Sequence, residues 1–258
     1  MLSKNQIKLI NSLKIKKFRD ESNLFLTEGT KIVSEILNSP LTIHSIYAKK
    51  TWLDQNNYLL AQRNDLVDST FEISDKELER ISSLSTANEV LMVVAKPSPI
   101  FQLETLTGKL TLMLDEVKDP GNLGTIIRIA DWFGIENIIC SKNSVDVFNP
   151  KVIQATMGSV SRINIFYQDL EFVLEGNISK HLSLPVYGAL LNGENIYKVK
   201  LMKWGIILLG NESKGISNQL LPFITHKIKI PSYGNAESLN VSTAAAVICS
   251  EFVRNTNS

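Results

Sequence analysis

Apolar positions along this chain switch between a helical and a strand period, and the switches outline its elements. Ile7, Ile10 and Leu13, behind a capping Ser3, share one helix face. "NLFLTEG" reads as a strand ending at a glycine, "TKIVSEILNS" as a short helix and "LTIHSIYAKK" as a second strand. "DKELERISSL" follows as a helix with Asp75 as its cap, and "EVLMVVAK" as a buried strand. These elements predict a small α/β unit over residues 1–95. "PSPIFQLETLTGK", with two prolines and mixed polarity, reads as an interdomain linker over 96–109.

The second part, 110–258, restarts with "LTLMLDEV", a continuous apolar run of the kind buried on both faces of a parallel sheet. "NLGTIIRIADWFG" reads as a helix from a cap at Asn122 to a stop at Gly134, and "IENIICS" as the next strand. "PKVIQATMGSVSRI" reads as a helix, "LPVYGALL" and "WGIILLG" as strands, and "SNQLLPFI" as a short helix. Ile228 and Ile230 finish a short strand, and the small-residue segment "SLNVSTAAAVICSEF" supplies the last helix. Such alternation predicts an α/β domain with a mostly parallel sheet.

Composition narrows the classes. At 258 residues with 44% hydrophobic and 21% charged content, the chain fits an ordinary globular protein of one large or two medium domains. A net charge of +1 argues against bulk polyelectrolyte binding but leaves room for a local basic patch. Cys140 and Cys249 lie in apolar contexts, and with three histidines in all no metal site is expected. The amphipathic N-terminus lacks the core of a signal peptide, and no apolar run is long enough to span a membrane. A cytoplasmic protein is expected.

Three strand exits carry candidate chemistry. In "KDPGNLGTIIRIAD", Gly121 and Gly124 permit close approach to a helix start, and Arg128 stands among Ile126, Ile127, Ile129 and Ala130. The plain alternative is a polar stripe in which Arg128 pairs with Asp131. In "LLGNESKG", Gly210, Asn211, Glu212 and Gly215 form either a ligand loop or a solvated glycine turn. In "IPSYGNAESLNVS", Ser238, Asn240 and Ser242 exceed what one helix start needs, so some of them could face a ligand. A parallel sheet brings such exits to one edge, where ligands bind. Neither a dinucleotide fingerprint nor a Walker loop is present.

The three stretches, in this order and spacing, resemble the three motifs of the SpoU (TrmH) family of RNA ribose 2′-O-methyltransferases. They stand as Asn122-x-Gly124-x-x-x-Arg128-x-Ala130, Leu209-Gly210-Asn211-Glu212-Ser213-Lys214-Gly215, and Ile230-Pro231 followed by Ser238-Leu239-Asn240-Val241-Ser242. The turn "SYGNAE" departs from the commoner methionine-containing form. The N-terminal part resembles the substrate-binding domain of such enzymes, which is similar to ribosomal RNA-binding proteins of α/β type. The resemblance implies a SPOUT-type catalytic domain with a deep trefoil knot, a homodimer, S-adenosylmethionine as cofactor and structured RNA as substrate, ribosomal RNA before transfer RNA. A non-catalytic RNA-binding assembly factor on the same fold is the competing class.

By motif matching, the resemblance makes Asn122, Arg128, Glu212, Ser238 and Asn240 the reaction site, with Asn122 and Arg128 near the dimer interface and Asn122 bonded to Arg128. It makes Ala189, Leu209, Gly210, Ile230 and Leu239 the cofactor cradle. Ser242 or Thr243 is then left to cap the last helix. Lys14, Lys16, Lys17 and Arg19, beside Phe18, read alone as a solvated helix end; beside the domain resemblance they become the expected phosphate-binding patch.

Overall fold

The computed structural model describes residues 1–256. They form two compact units, Met1–Ser98 with Asp146–Ser161, and Pro99–Val145 with Arg162–Ser258. No helix among the described residues is long and apolar enough to cross a membrane.

The first stretch of chain runs α1 (Lys4–Ser12), α2 (Lys16–Ser22), β1 (Leu24–Glu28), α3 (Thr30–Leu37), β2 (Ile43–Ala48), α4 (Lys50–Gln55), α5 (Asn57–Leu60), β3 (Thr70–Glu72), α6 (Asp75–Ile81) and β4 (Val90–Ala95). Its sheet has the order β1-β4-β2-β3, with β4 antiparallel to β1 and β2, and β3 parallel to β2. Ile10 on α1 and Leu13 at its C-terminal cap, Leu78 and Ile81 on α6, and Leu26, Leu91 and Val93 on the strands close one core. Ser3 caps α1 in a full capping box with Gln6. At α6 the cap is Ser74 rather than Asp75, and Glu77 completes that box. Three backbone and hydroxyl donors at Leu2 and Ser74 hold the Glu77 carboxyl down at about 2.

The second unit is built on β5 (Leu110–Leu114), α7 (Pro120–Trp132), β6 (Asn137–Ser141), β7 (Asn164–Gln168), α9 (Leu170–Ser179), β8 (Val186–Asn195), β9 (Gly205–Leu209), β10 (His226–Lys229) and α10 (Val241–Thr256). The intervening α8 (Pro150–Thr156) belongs to the first unit. The sheet is six-stranded and parallel throughout, in the order β10-β8-β9-β5-β6-β7. Alternate residues serve opposite faces. Met113, Ile139, Val186, Ile206 and Leu208 pack with α9, whereas Tyr187 meets Phe252 of α10, ring to ring at 4.9 Å. Leu103 and Leu106 are buried in the α9-side core, so the second half of the expected linker is part of this unit.

The segment "PKVIQATMGSVSRI" is α-helical only to Thr156, where Met157 turns left-handed at φ 52°, and a 3-10 turn at Ser159–Ser161 follows. Within the first unit, Arg19 is only 2% exposed and donates from Nε and Nη2 to Asp146 Oδ2 at 3.1 and 2.7 Å, and from Nη1 to Leu13 O at 2.9 Å. This corrects its expected role, because a guanidinium so enclosed offers nothing to an RNA phosphate. Lys14 donates to Ser82 O at 2.7 Å, and Lys16 and Lys17 pair with Asp20 and Glu21. Lys16 and Lys17 stay exposed in these surface pairs, so of the four expected cations only Arg19 is buried.

Candidate methyl-transfer site at the strand exits

Three loops leave the carboxyl ends of β5, β9 and β10. β5 and β9 are neighbours, with Leu114 opposite Leu209. Asp115, 4% exposed, carries the pairing one step further: its N–H donates to Leu209 O at 2.9 Å, and its carboxylate accepts from Ser217 N at 2.7 Å. Glu116 then adopts the left-handed region, φ 53°, which an L side chain occupies only where its surroundings dictate it. Ser141 Oγ accepts its N–H at 2.8 Å, and its carbonyl accepts from Asn211 Nδ2 at 2.8 Å. Asn143 and Lys118 hold its carboxyl below the usual range.

Asn211 organises the β9 exit. Its Oδ1 accepts from Ser213 N and Lys214 N at 2.9 and 3.1 Å, while its backbone bridges Gly215 in both directions. Gly210 lies so near the returning chain that a Cβ there would stand 2.2 Å from Gly215 C and 2.3 Å from Ile216 N. Only glycine fits that crossing. Asp115 was given no role from sequence, and Asn211 only a place in the exit loop. The acid closing an apolar strand and the Gly-Asn pair at a strand exit were the available signals.

α7 starts at Pro120, capped by Asp119, whose Oδ1 accepts from Asn122 N at 2.8 Å. The cap is therefore not Asn122, and this leaves the Asn122 carboxamide free for the site. It donates from Nδ2 to Glu212 Oε1 at 2.8 Å and accepts at Oδ1 from Asn240 Nδ2 at 2.9 Å. Asn240 also caps α10, in place of the expected Ser242 or Thr243. Its Oδ1 accepts from Ser242 N, Thr243 N and Ser242 Oγ at 2.9, 3.3 and 2.6 Å, and its carbonyl accepts from Ala244 N at 2.9 Å. The amides of the α10 start thus fix which end of Asn240 faces them, and the orientation passes through Asn122 to the Glu212 carboxylate.

Arg128 stands apart from this chain. It is exposed and forms no hydrogen bond or ion pair among the described residues. Asp131, the partner that helix spacing offered, is held instead by Arg162, whose Nε and Nη2 reach its carboxylate at 3.0 and 2.8 Å. Nor does Asn122 bond Arg128. Six residues of helix separate them by roughly 9 Å of rise and about 120° of rotation. Gly121, Thr125, Arg128 and Trp132 form one exposed stripe along α7, with Trp132 85% exposed. Ser238 is exposed and its hydroxyl is without a partner among the described residues.

The expected cradle residues also gather at strand ends. Leu209 ends β9 and Gly210 follows it, while Ile230 and Leu239 lie near the two ends of the loop between β10 and α10. Ala189 sits where β8 leaves its register. β10 pairs with β8 at Gly188, then resumes at Glu194, so residues 189–193 swing out between. The return passes against the backbone of Ile228, where a Cβ on Gly193 would come within 2.5 Å of Ile228 C. Narrow glycine crossings and half-exposed apolar residues at strand exits suit a flat ring and a thioether chain held by backbone groups. The residues therefore fit S-adenosylmethionine.

The sequence profile of the SpoU rRNA methylase family matches residues 109–250, and that of the MRM3-like substrate-binding domain matches residues 4–92. The 23S rRNA (guanosine(2553)-2′-O)-methyltransferase RlmP of Bacillus subtilis is 30% identical over 95% of each chain. An AdoMet-bound rRNA methyltransferase from Sinorhizobium meliloti superposes with a TM-score of 0.83 at 29% identity, over 98% of this chain and 96% of that one. A TrmH-family protein of Porphyromonas gingivalis superposes at 0.84 and 35% identity, over 98% and 99%. The fold is that of a SpoU/TrmH-type protein with an added small mixed α/β domain. The chain belongs to the SpoU rRNA methylase family.

Proposed function

We propose that this protein is an RNA ribose 2′-O-methyltransferase, with S-adenosylmethionine as methyl donor and ribosomal RNA as substrate. The observation that carries the proposal is the hydrogen-bonded chain Asn240–Asn122–Glu212, which joins all three strand exits and leaves Arg128 uncompensated. The relatives named for rRNA favour that substrate over transfer RNA.

When bound, S-adenosylmethionine supplies a methyl group on a positively charged sulfur. Ala189, Leu209, Gly210, Ile230 and Leu239 would hold it. The remaining work of the protein is alignment and the exclusion of water. Glu212, fixed by Asn122 and flanked by Asn211, orders the floor of the site. Ser238, with an uncommitted hydroxyl, and Asn240 orient the ribose. Arg128 binds the phosphate beside the target ribose and polarises the 2′-hydroxyl. It stays charged in proteins, so the phosphate or a water takes the proton.

Arg128 serves the site of a second copy in this reading. Its position around the helix from Asn122 and the exposed stripe ending at Trp132 support a homodimer. Membership of the SpoU rRNA methylase family is what supports a trefoil knot in the second unit. The two free, buried cysteines suit a reducing cytoplasm.

The test has two parts. Ribose methylation mapped across total RNA, with and without the gene, should differ at a ribosomal RNA position. Arg128→Ala should lose transfer by at least about 100-fold while keeping its melting temperature and cofactor affinity. Near-normal turnover in Arg128→Ala would remove Arg128 from the mechanism.

A further inference from the structure

With Arg19 buried and Lys14 bonded to Ser82 O in the first unit, the second unit is the other place to look for cations that meet RNA phosphates. β10 is the outermost strand of the second sheet. Ile228 on it is fully buried, while Lys227 and Lys229 on either side are exposed and share the other face. Neither lysine has a carboxylate partner among the described residues. Two residues of strand space them by roughly 6.6 Å, close to the separation of adjacent phosphates in a polynucleotide.

The chain then enters the loop 230–240, where Ser232 Oγ donates to Gly234 O at 3.2 Å across a turn. Tyr233, at the tip of this turn, is 92% exposed and touches no other ring among the described residues. A large aromatic left in water has most of its stacking surface still to bury. The loop is anchored at one end by β10 and at the other by Asn240, which bonds Asn122. Seven residues separate Tyr233 from Asn240, so the ring is within about 25 Å of the reaction chain even before the turn shortens that path.

We propose that Lys227, Lys229 and Tyr233 form a guide for single-stranded RNA into the methyl-transfer site, the two lysines holding consecutive phosphates and the Tyr233 ring stacking on a base. The chemistry matches the general device for unpaired strands, a cationic track with an aromatic platform. A ribose is presented for reaction most readily where its base is unstacked from its neighbours, which is the state such a platform captures. The inference rests on the RNA methyl-transfer reading and adds the path by which the substrate enters.

Two measurements separate its parts. Binding of a fluorescein-labelled single-stranded RNA oligonucleotide is followed against salt concentration, alongside methylation of total ribosomal RNA. Lys227→Gln with Lys229→Gln should flatten the slope of log affinity on log salt by about 1.4, two single-strand phosphate contacts. Tyr233→Ala should weaken binding about 5- to 150-fold and raise KM for RNA with the salt slope unchanged, and Tyr233→Trp should restore both. Calorimetry with S-adenosylmethionine should give wild-type affinity in every variant. Unchanged RNA affinity in Tyr233→Ala, impaired cofactor binding, or a dimer that falls apart in sedimentation would each overturn the guide. Wild-type protein that binds S-adenosylmethionine but methylates no RNA would instead sink the function reading, and the guide with it.

Discussion

Replacing Arg19 by methionine distinguishes a structural cation from an RNA-binding one. The substitution keeps most of the side-chain volume and removes three hydrogen bonds, two to Asp146 Oδ2 and one to Leu13 O. Asp146, with its side chain 11% exposed, is left as a buried charge without its cation. Breaking such a pair from one side costs about 3–5 kcal/mol. For a unit of roughly 100 residues that is a fall of about 12–20 °C in melting temperature. Differential scanning calorimetry on the full chain reads this directly. Adding Asp146→Asn should recover more than half of the loss, because the neutral carboxamide no longer demands a cation and can still accept from Phe148 N. RNA affinity at a temperature where the variant is folded should keep its salt dependence. A melting shift below about 3 °C together with a flatter salt slope would refute the assignment and return Arg19 to the RNA surface.

In the proposed homodimer, co-expression of Arg128→Ala with Asn240→Ala should recover about a quarter of wild-type activity, since half the dimers would be mixed and each would have one complete site; no recovery would confine Arg128 to its own protomer. Gly210→Ala, whose Cβ would sit 2.2 Å from Gly215 C, should abolish S-adenosylmethionine binding in calorimetry and destabilise by about 1–3 kcal/mol. Asn240→Asp cannot donate to Asn122, so the polarity from the α10 start to Glu212 breaks. Transfer should fall by at least about 10-fold with the helix still capped, because aspartate caps as well as asparagine. Lys16 and Lys96 hold the Asp20 carboxyl down at about 2, and it is stabilising while ionised. That contribution is complete above the unfolded pKa near 4 and lost as pH falls toward 2, so Asp20→Asn should narrow the difference in melting temperature between about pH 5 and pH 2.

Much of this architecture was legible from the chain because local rules and tertiary demands agree there. The strands of the second sheet read from sequence are short apolar runs except β10, which alternates, and the three exits carry glycine or asparagine where the backbone turns. The resemblance could therefore be placed residue by residue, and the structure brings Asn122, Glu212 and Asn240 within hydrogen-bonding reach of one another. β7 and α9 were passed over, although Asp169 before "LEFVLEGNIS" is an ordinary capping signal and does cap α9. What local reading got wrong concerns partners distant in sequence. Asp131 stood three residues from Arg128, a spacing worth a few tenths of a kcal/mol, and lost to the two-pronged grip of Arg162. Arg19 read as one of four cations on a solvated helix end. Asp146, 127 residues away in sequence, decides otherwise. The membership of Asp146–Ser161 in the first unit has no local signature at all.

The surplus of polar residues before α10 shows why caps and sites are hard to separate by sequence. A helix start needs acceptors for its free amides, and a reaction site needs groups held in one orientation. Asn240 meets both needs with the two ends of one carboxamide, oxygen toward the helix and nitrogen toward Asn122. Aspartate or serine would satisfy the first need about as well, and threonine nearly so. None of them could also donate to Asn122 in that arrangement, since aspartate has no donor and a hydroxyl is too short to serve both sides. The identity of residue 240 is therefore set by the partner across the site rather than by the helix it begins, and the same holds for Asn122, whose carboxamide has an acceptor to face on one side and a donor on the other.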